Sequence, residues 1–267
     1  MWRKYATVFS ASWQSEFTYR LNFILWRLRN VLRLLMTYFL WRGVFVSNNN
    51  VFGFTQSQML TYVFLVLLIG SIILSSPSSD NIGGEIANGD LSNYLVKPLG
   101  YLKYWFTRDL ASKALNLVFA FVEAFVLWLM LRPEISFIVT PEIVIGFVIS
   151  VFLGMSIYYL MSTSARFVAF WMPENTWGLA FLILVFVETL SGGIFPLNIL
   201  PVSIRTILEL TPFPYLLYFP VAIFQGKIIG PDLIKTILIS GIWTVILFYF
   251  TKWLWKKGIK NYGAEGR

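Results

Sequence analysis

Three charged residues interrupt long apolar runs. Arg33 lies in VLRLLMTYF, Glu123 in AFVEAFV and Glu188 in LVFVETL. A charge at mid-membrane depth costs about 3 kcal/mol on insertion scales. Such a residue normally faces an interior or a wet cavity and takes a partner. Arg33 is therefore expected to neutralise Glu123 or Glu188. The functional alternative is that one of these glutamates lines the path of a cationic or amphiphilic substrate. Other chemistry is sparse. The chain has no Cys and no His, which removes thiol nucleophiles, Cys/His zinc clusters and the commonest general base. No closely spaced Asp pair is present, and no pattern points to a serine site. The phosphate-binding pattern G-x-x-x-x-G-K-[ST] is absent, since Gly226–Lys227 lacks the upstream glycine. Any energy must come from a partner or from an ion gradient.

The elements that carry these charges are long and greasy. The 267 residues are 57% apolar and only 13% charged, about half the charged share of a soluble domain. Spanning about 30 Å of hydrocarbon takes roughly 20 helical residues. Six spans are expected, at about residues 21–41, 58–76, 112–131, 142–163, 177–195 and 233–255. The reading is an all-α polytopic membrane protein, with residues 1–267 as a single domain. The third span carries Glu123 about eleven residues in, yet its Leu, Val and Phe each return roughly 0.4 kcal/mol, so it still inserts. No cleavable signal peptide is recognised at the N-terminus.

An even number of spans puts both termini on one side. Arg3, Lys4, Lys97, Lys103, Arg108, Lys113, Arg166, Lys252, Lys256, Lys257, Lys260 and Arg267 then share a side, 12 of the 21 basic residues. Arg42, Arg132, Arg205, Lys227 and Lys235 fall opposite. The bias places both termini in the cytoplasm, and it assigns the net charge of +8 to membrane topology rather than to nucleic acid. Arg27 and Arg29 lie nearer the cytoplasmic surface and are expected to snorkel.

Before the first span, Trp2, Tyr5, Phe9, Trp13 and Phe17 recur every three or four residues. That spacing suits an amphipathic helix in the membrane interface. The alternative is the start of one long tilted span. In the fourth span Gly146, Ser150 and Gly154 form a small-residue stripe for close packing, within or between subunits.

Two connections are unusual. Residues 77–111 form a long loop containing IGGEIANGDLSNYLVKPLG. Ile82, Ile86, Leu91, Tyr94 and Leu95 could make a short helical face, with Gly83, Gly84 and Gly89 bending it and Pro98 ending it. Its apolar side needs a cover, either the bilayer surface or another protein. Residues 191–232 hold six prolines and four glycines yet stay apolar. Proline interrupts helices, and non-helical backbone at membrane depth survives only inside protein or beside water. Broken, re-entrant short helices are expected there, 204–210 among them.

The pattern EIANGDLSNYLVKP resembles the first cytoplasmic loop of type-2 permeases of ATP-binding cassette (ABC) transporters. GGIFPLNILPVSIRTILELTPFPYLLYFPVAIFQGKI is similar to the segment between their fifth and sixth spans, and WQSEFTYRLNFILWRLRN to the head of one branch. The resemblance implies six membrane helices, an N-terminal interfacial helix, a cytoplasmic coupling helix and re-entrant outer helices that cap the exit. It implies that Glu85, Ile86, Gly89, Asp90, Leu91, Tyr94, Leu95, Lys97 and Pro98 lie in or beside the contact with a separate ATPase subunit. It further implies a non-catalytic permease in the cell (inner) membrane, paired with a like or unlike second permease. No cofactor is expected on this chain, with ATP and Mg on the partner, and no nucleic acid. The function implied is ATP-driven export of an amphiphilic or hydrophobic substrate. The alternative is a stand-alone proton-coupled transporter using an intramembrane Glu.

Overall fold

A computed structural model describes residues 2–16, 20–47, 50–76, 78–134 and 140–263. The features expected at Phe17, Pro77 and Arg267 lie outside these. The described residues are almost wholly helical. In order they form α1 (Trp2–Glu16), α2 (Arg20–Val44), a hairpin of β1 (Asn50–Val51) and β2 (Phe54–Thr55), α3 (Gln56–Ile73), α4 (Ser78–Ala87), α5 (Ser92–Leu95) and α6 (Tyr101–Leu131). Then come α7 (Pro141–Arg166), α8 (Gly178–Leu190), α9 (Val202–Glu209), α10 (Tyr218–Phe224) and α11 (Gly230–Asn261), with short 3₁₀ turns between them. This is an all-α membrane protein. The boundary residues explain the breaks. Thr55 and Gln58 form a reciprocal cap at the start of α3. Thr140 caps α7, with Pro141 in its first turn.

Among the described residues, four helices are long and apolar enough to cross a membrane: Gln56–Ile73, Tyr101–Leu131, Pro141–Phe170 and Gly230–Asn261. They correspond to the second, third, fourth and sixth expected spans. The first and fifth do not meet that standard, each for its own reason. α2 is long but carries Arg20, Arg27, Arg29, Arg33 and Arg42. α8 is strongly apolar but has only 13 residues. It stops because the chain leaves the helix at Gly192, where φ is +84° and the Tyr62 hydroxyl donates to the Gly192 carbonyl at 2.6 Å. α6 and α11, with 31 and 32 residues, are longer than expected. At 1.5 Å per residue each reaches about 47 Å, roughly 17 Å more than a bilayer core.

The small-residue stripe of α7 is used inside the chain. A Cβ on Gly146 would lie 2.8 Å from a Leu233 methyl, and one on Gly154 would lie 2.9 Å from Ile73 Cδ1 and 3.1 Å from the Tyr215 carbonyl. α7 and α11 pack along each other, joined by a 2.8 Å hydrogen bond between the Ser164 and Thr251 hydroxyls. The segment after α8 is folded inward. Its short helix α10 is almost wholly buried against α3 and α7. Since Tyr215 meets α7 at Gly154, thirteen residues past Pro141, the segment reaches about 20 Å along that helix.

Candidate functional site

The stretch after α3 builds a rigid elbow. Ile82, Ile86 and Leu91 are buried at 0%, 5% and 0% exposure, packed with Trp105, Phe167 and Phe170 of the same chain. The cover for these three residues is therefore intramolecular, while Leu95 of the same expected face stays exposed. Gly83 and Gly84 do not break α4; the turn comes at Gly89, whose φ of +82° favours glycine. The Leu91 amide then donates back to the Glu85 carbonyl at 2.9 Å. The Glu85 carboxylate faces inward, accepting the Tyr101 hydroxyl at 2.6 Å and the Trp105 indole N–H at 3.1 Å. Tyr94 sits edge-on to Tyr101 and tilted against Tyr104, with the Lys97 ammonium 5.1 Å above its ring. Burial, and then the neighbouring Glu85 carboxylate, push the Tyr94 hydroxyl well above its ordinary value.

The nine residues carried over from the resemblance thus separate into two sets. Ile86, Gly89 and Leu91 are buried, and Glu85 and Tyr94 half-buried, where they hold the elbow together. Asp90, Leu95, Lys97 and Pro98 are exposed at its tip. Val96, which sequence reasoning passed over, is 84% exposed beside them. Its signal was available: an apolar residue immediately before Lys97-Pro98, where the short helix has already ended.

The charged residues fall into two pairs. Arg33 binds Glu188 in a fork, with Nη2 to Oε2 at 2.5 Å and Nη1 to Oε1 at 2.7 Å. Their side chains remain 37% and 31% exposed. Glu123 takes a different arginine. Arg27 reaches its carboxylate at 3.1 Å, with side chains only 8% and 14% exposed. Arg27 also donates to the Asn116 side-chain and backbone oxygens at 2.7 and 3.1 Å. Arg27 does not snorkel. Asn116 and Glu123, two turns apart on one face of α6, offer it acceptors inside the protein.

Lys113 also departs from its expected place. It lies three turns inside α6, not in a loop, and its ammonium donates to the carbonyls of Ile72, Ile73 and Ser75. A cation there satisfies the orphan acceptors at the end of α3 and opposes its negative dipole end.

A cavity of about 830 Å³ lies between α2, α3, α7 and α8. Arg33 and Glu188 line it, together with Asn30, Asn116 and Trp177. It extends from Ser76 and Arg166, near the elbow, to Gly193. Its wall mixes hydroxyl, amide and charged groups with Leu, Val and aromatic surface, which suits a molecule with a polar head and an apolar body.

A family model described as ABC-2 family transporter protein matches residues 31–266. The chain belongs to the ABC-2 transporter family. No curated protein and no solved structure matched it. Family membership makes the chain the multi-pass permease of an ABC transporter, a transport subunit that is not itself catalytic and that associates with an ABC ATPase. The match takes in the elbow, the Arg33–Glu188 pair and the inward-folded segment after α8.

Proposed function

We propose that this ABC-2 permease is the membrane half of an exporter, driven by ATP and Mg bound on the partner ATPase subunits. The elbow is its coupling element. Six segments cross the membrane, because Arg27 and Arg33 of α2 are paired on protein and α8 is completed by the inward-folded chain after it. Both termini and the elbow face the cytoplasm, with α1 in the interface. Removing the buried Lys113 from the sidedness count leaves eleven basic residues against five, the same bias. On that orientation α9 and α10 are re-entrant from outside and cap the exit. The cavity with the Arg33–Glu188 pair is one wall of the path; a second permease, like or unlike, supplies the other. The substrate is an amphiphile.

What carries this reading is the exposure pattern of the elbow. Ile82, Ile86 and Leu91 are sealed by the chain itself, while Asp90, Leu95, Val96 and Lys97 project from this mount. A lever needs both a stiff attachment and a free tip. The proton-coupled alternative gains nothing, since both intramembrane glutamates are held by arginines. The test is co-purification with a partner ABC ATPase. Wild-type permease should retain it. Leu95→Asp with Val96→Asp should release it without lowering permease yield, because neither side chain is buried. Retention by the double variant, or proton-driven transport by the permease alone, would overturn the proposal.

A further inference from the structure

The elbow is also gripped from behind, by a residue that neither the resemblance nor the family match singles out. The Tyr262 hydroxyl donates to the Gly89 carbonyl at 2.6 Å and accepts the Ser92 amide at 3.1 Å. These backbone groups flank the left-handed turn that forms the elbow. Tyr262 follows directly on α11, and the last turns of that helix fit the same cluster. Trp255 stacks on Tyr101 at 5.2 Å and 13°. Gly258 lies so close to the Phe170 ring that any side chain there would collide with it. The other end of α11 is tied as well, where the Gly230 amide donates to the Glu142 carboxylate at 2.8 Å. One unbroken helix thus runs from the elbow to the segment that follows α10.

We propose that Tyr262 is a positioning residue that fastens the coupling elbow to α11, making α11 the strut that carries nucleotide-driven motion to the far side of the membrane. This rests on the coupling role proposed above. A helix is stiff along its axis, whereas the polypeptide between the elbow and α6 is a turn containing Pro98 and Gly100. Displacement of Gly89 therefore passes to α11 most directly through the contacts made by Tyr262 and the aromatic cluster. The tyrosine contributes the only part of that grip aimed at the elbow backbone among the described contacts of α11.

The absence of native cysteine makes the test direct. Ile229→Cys places a thiol at the start of α11, on a residue that is 55% exposed. Its labelling rate by a maleimide is measured in the permease–ATPase complex, without nucleotide and after trapping with ATP and vanadate. In the otherwise wild-type chain, trapping should change the rate. Tyr262→Phe keeps the ring against Phe170 and deletes the hydroxyl. It removes both hydrogen bonds of the hydroxyl and should shrink that change about five-fold or more. Tyr262→Ala should abolish it. An undiminished change in an assembled Tyr262→Phe complex overturns the strut. So does loss of the ATPase by Tyr262→Phe, which would make the tyrosine part of the docking surface instead. Failure of the wild-type chain to bind any ATPase would refute the coupling reading itself, a result separable from either of these.

Discussion

Arg27 and Arg33 each pair with a glutamate, but their surroundings give the pairs different weights. Arg27 and Glu123 are almost sealed, so removing one partner strands a charge inside the protein. Breaking such a pair costs about 3–5 kcal/mol, whereas replacing both by apolar groups is often neutral. Arg27→Met should therefore sharply lower thermal stability in detergent, and Arg27→Met with Glu123→Leu should recover most of it. A double variant no better than the single one would reject the pairing. Arg33 and Glu188 face the cavity and are about a third exposed. Water can solvate the survivor there, so the same exchange should cost about 1 kcal/mol or less. That intramembrane charges would pair was legible from their depth. Which arginine meets which glutamate was not, because that depends on how α2 is rotated against α6 and α8.

At the scale of elements, the stripe on α7 shows how close packing sets tolerance to change. Gly154→Ala would press a methyl on the backbone carbonyl of Tyr215, which cannot swing aside, as well as on Ile73. Gly146→Ala meets only the far end of the Leu233 side chain, which can rotate. Overpacking typically costs about 1–3 kcal/mol. Gly154→Ala should fall at the upper end and Gly146→Ala at or below the lower end, read as loss of melting temperature in detergent. Equal effects would mean that the Tyr215 segment yields more readily than its buried position suggests. The stripe itself was plain in the sequence, but its partner was not. Spacing reports that a face is small, and only the fold reports what lies against it.

At the scale of the molecule, the cavity decides what kind of surface α2 presents. If α2 crosses the membrane as proposed, a charged pair about a third exposed is incompatible with lipid, and this face borders water or a second subunit. Asn30→Cys, on the cavity wall, should react with a membrane-impermeant maleimide supplied from the elbow side. Phe125→Cys, 60% exposed on the apolar surface of α6, should stay unlabelled under the same conditions. Labelling of both, or of neither, would refute a water-filled cavity. The helices of the molecule differ in how readable they were. α3, α6, α7 and α11 announce themselves by unbroken hydropathy. α2 carries five arginines and α8 has only 13 residues, so neither stands out by length and hydropathy as those four do.

Composition and local pattern alone determined that the chain is helical, lives in a membrane and bends within its glycine-bearing stretch 83–89, since hydropathy and backbone freedom are properties of the residues themselves. Only the tertiary structure decided that Ile86 and Leu91 turn inward, that Lys113 caps α3, that Arg27 holds Glu123 and that Tyr262 returns to Gly89. Each of those contacts joins residues far apart in the chain. Its free energy exists only once both partners have been brought together, so no local pattern in the sequence can display it.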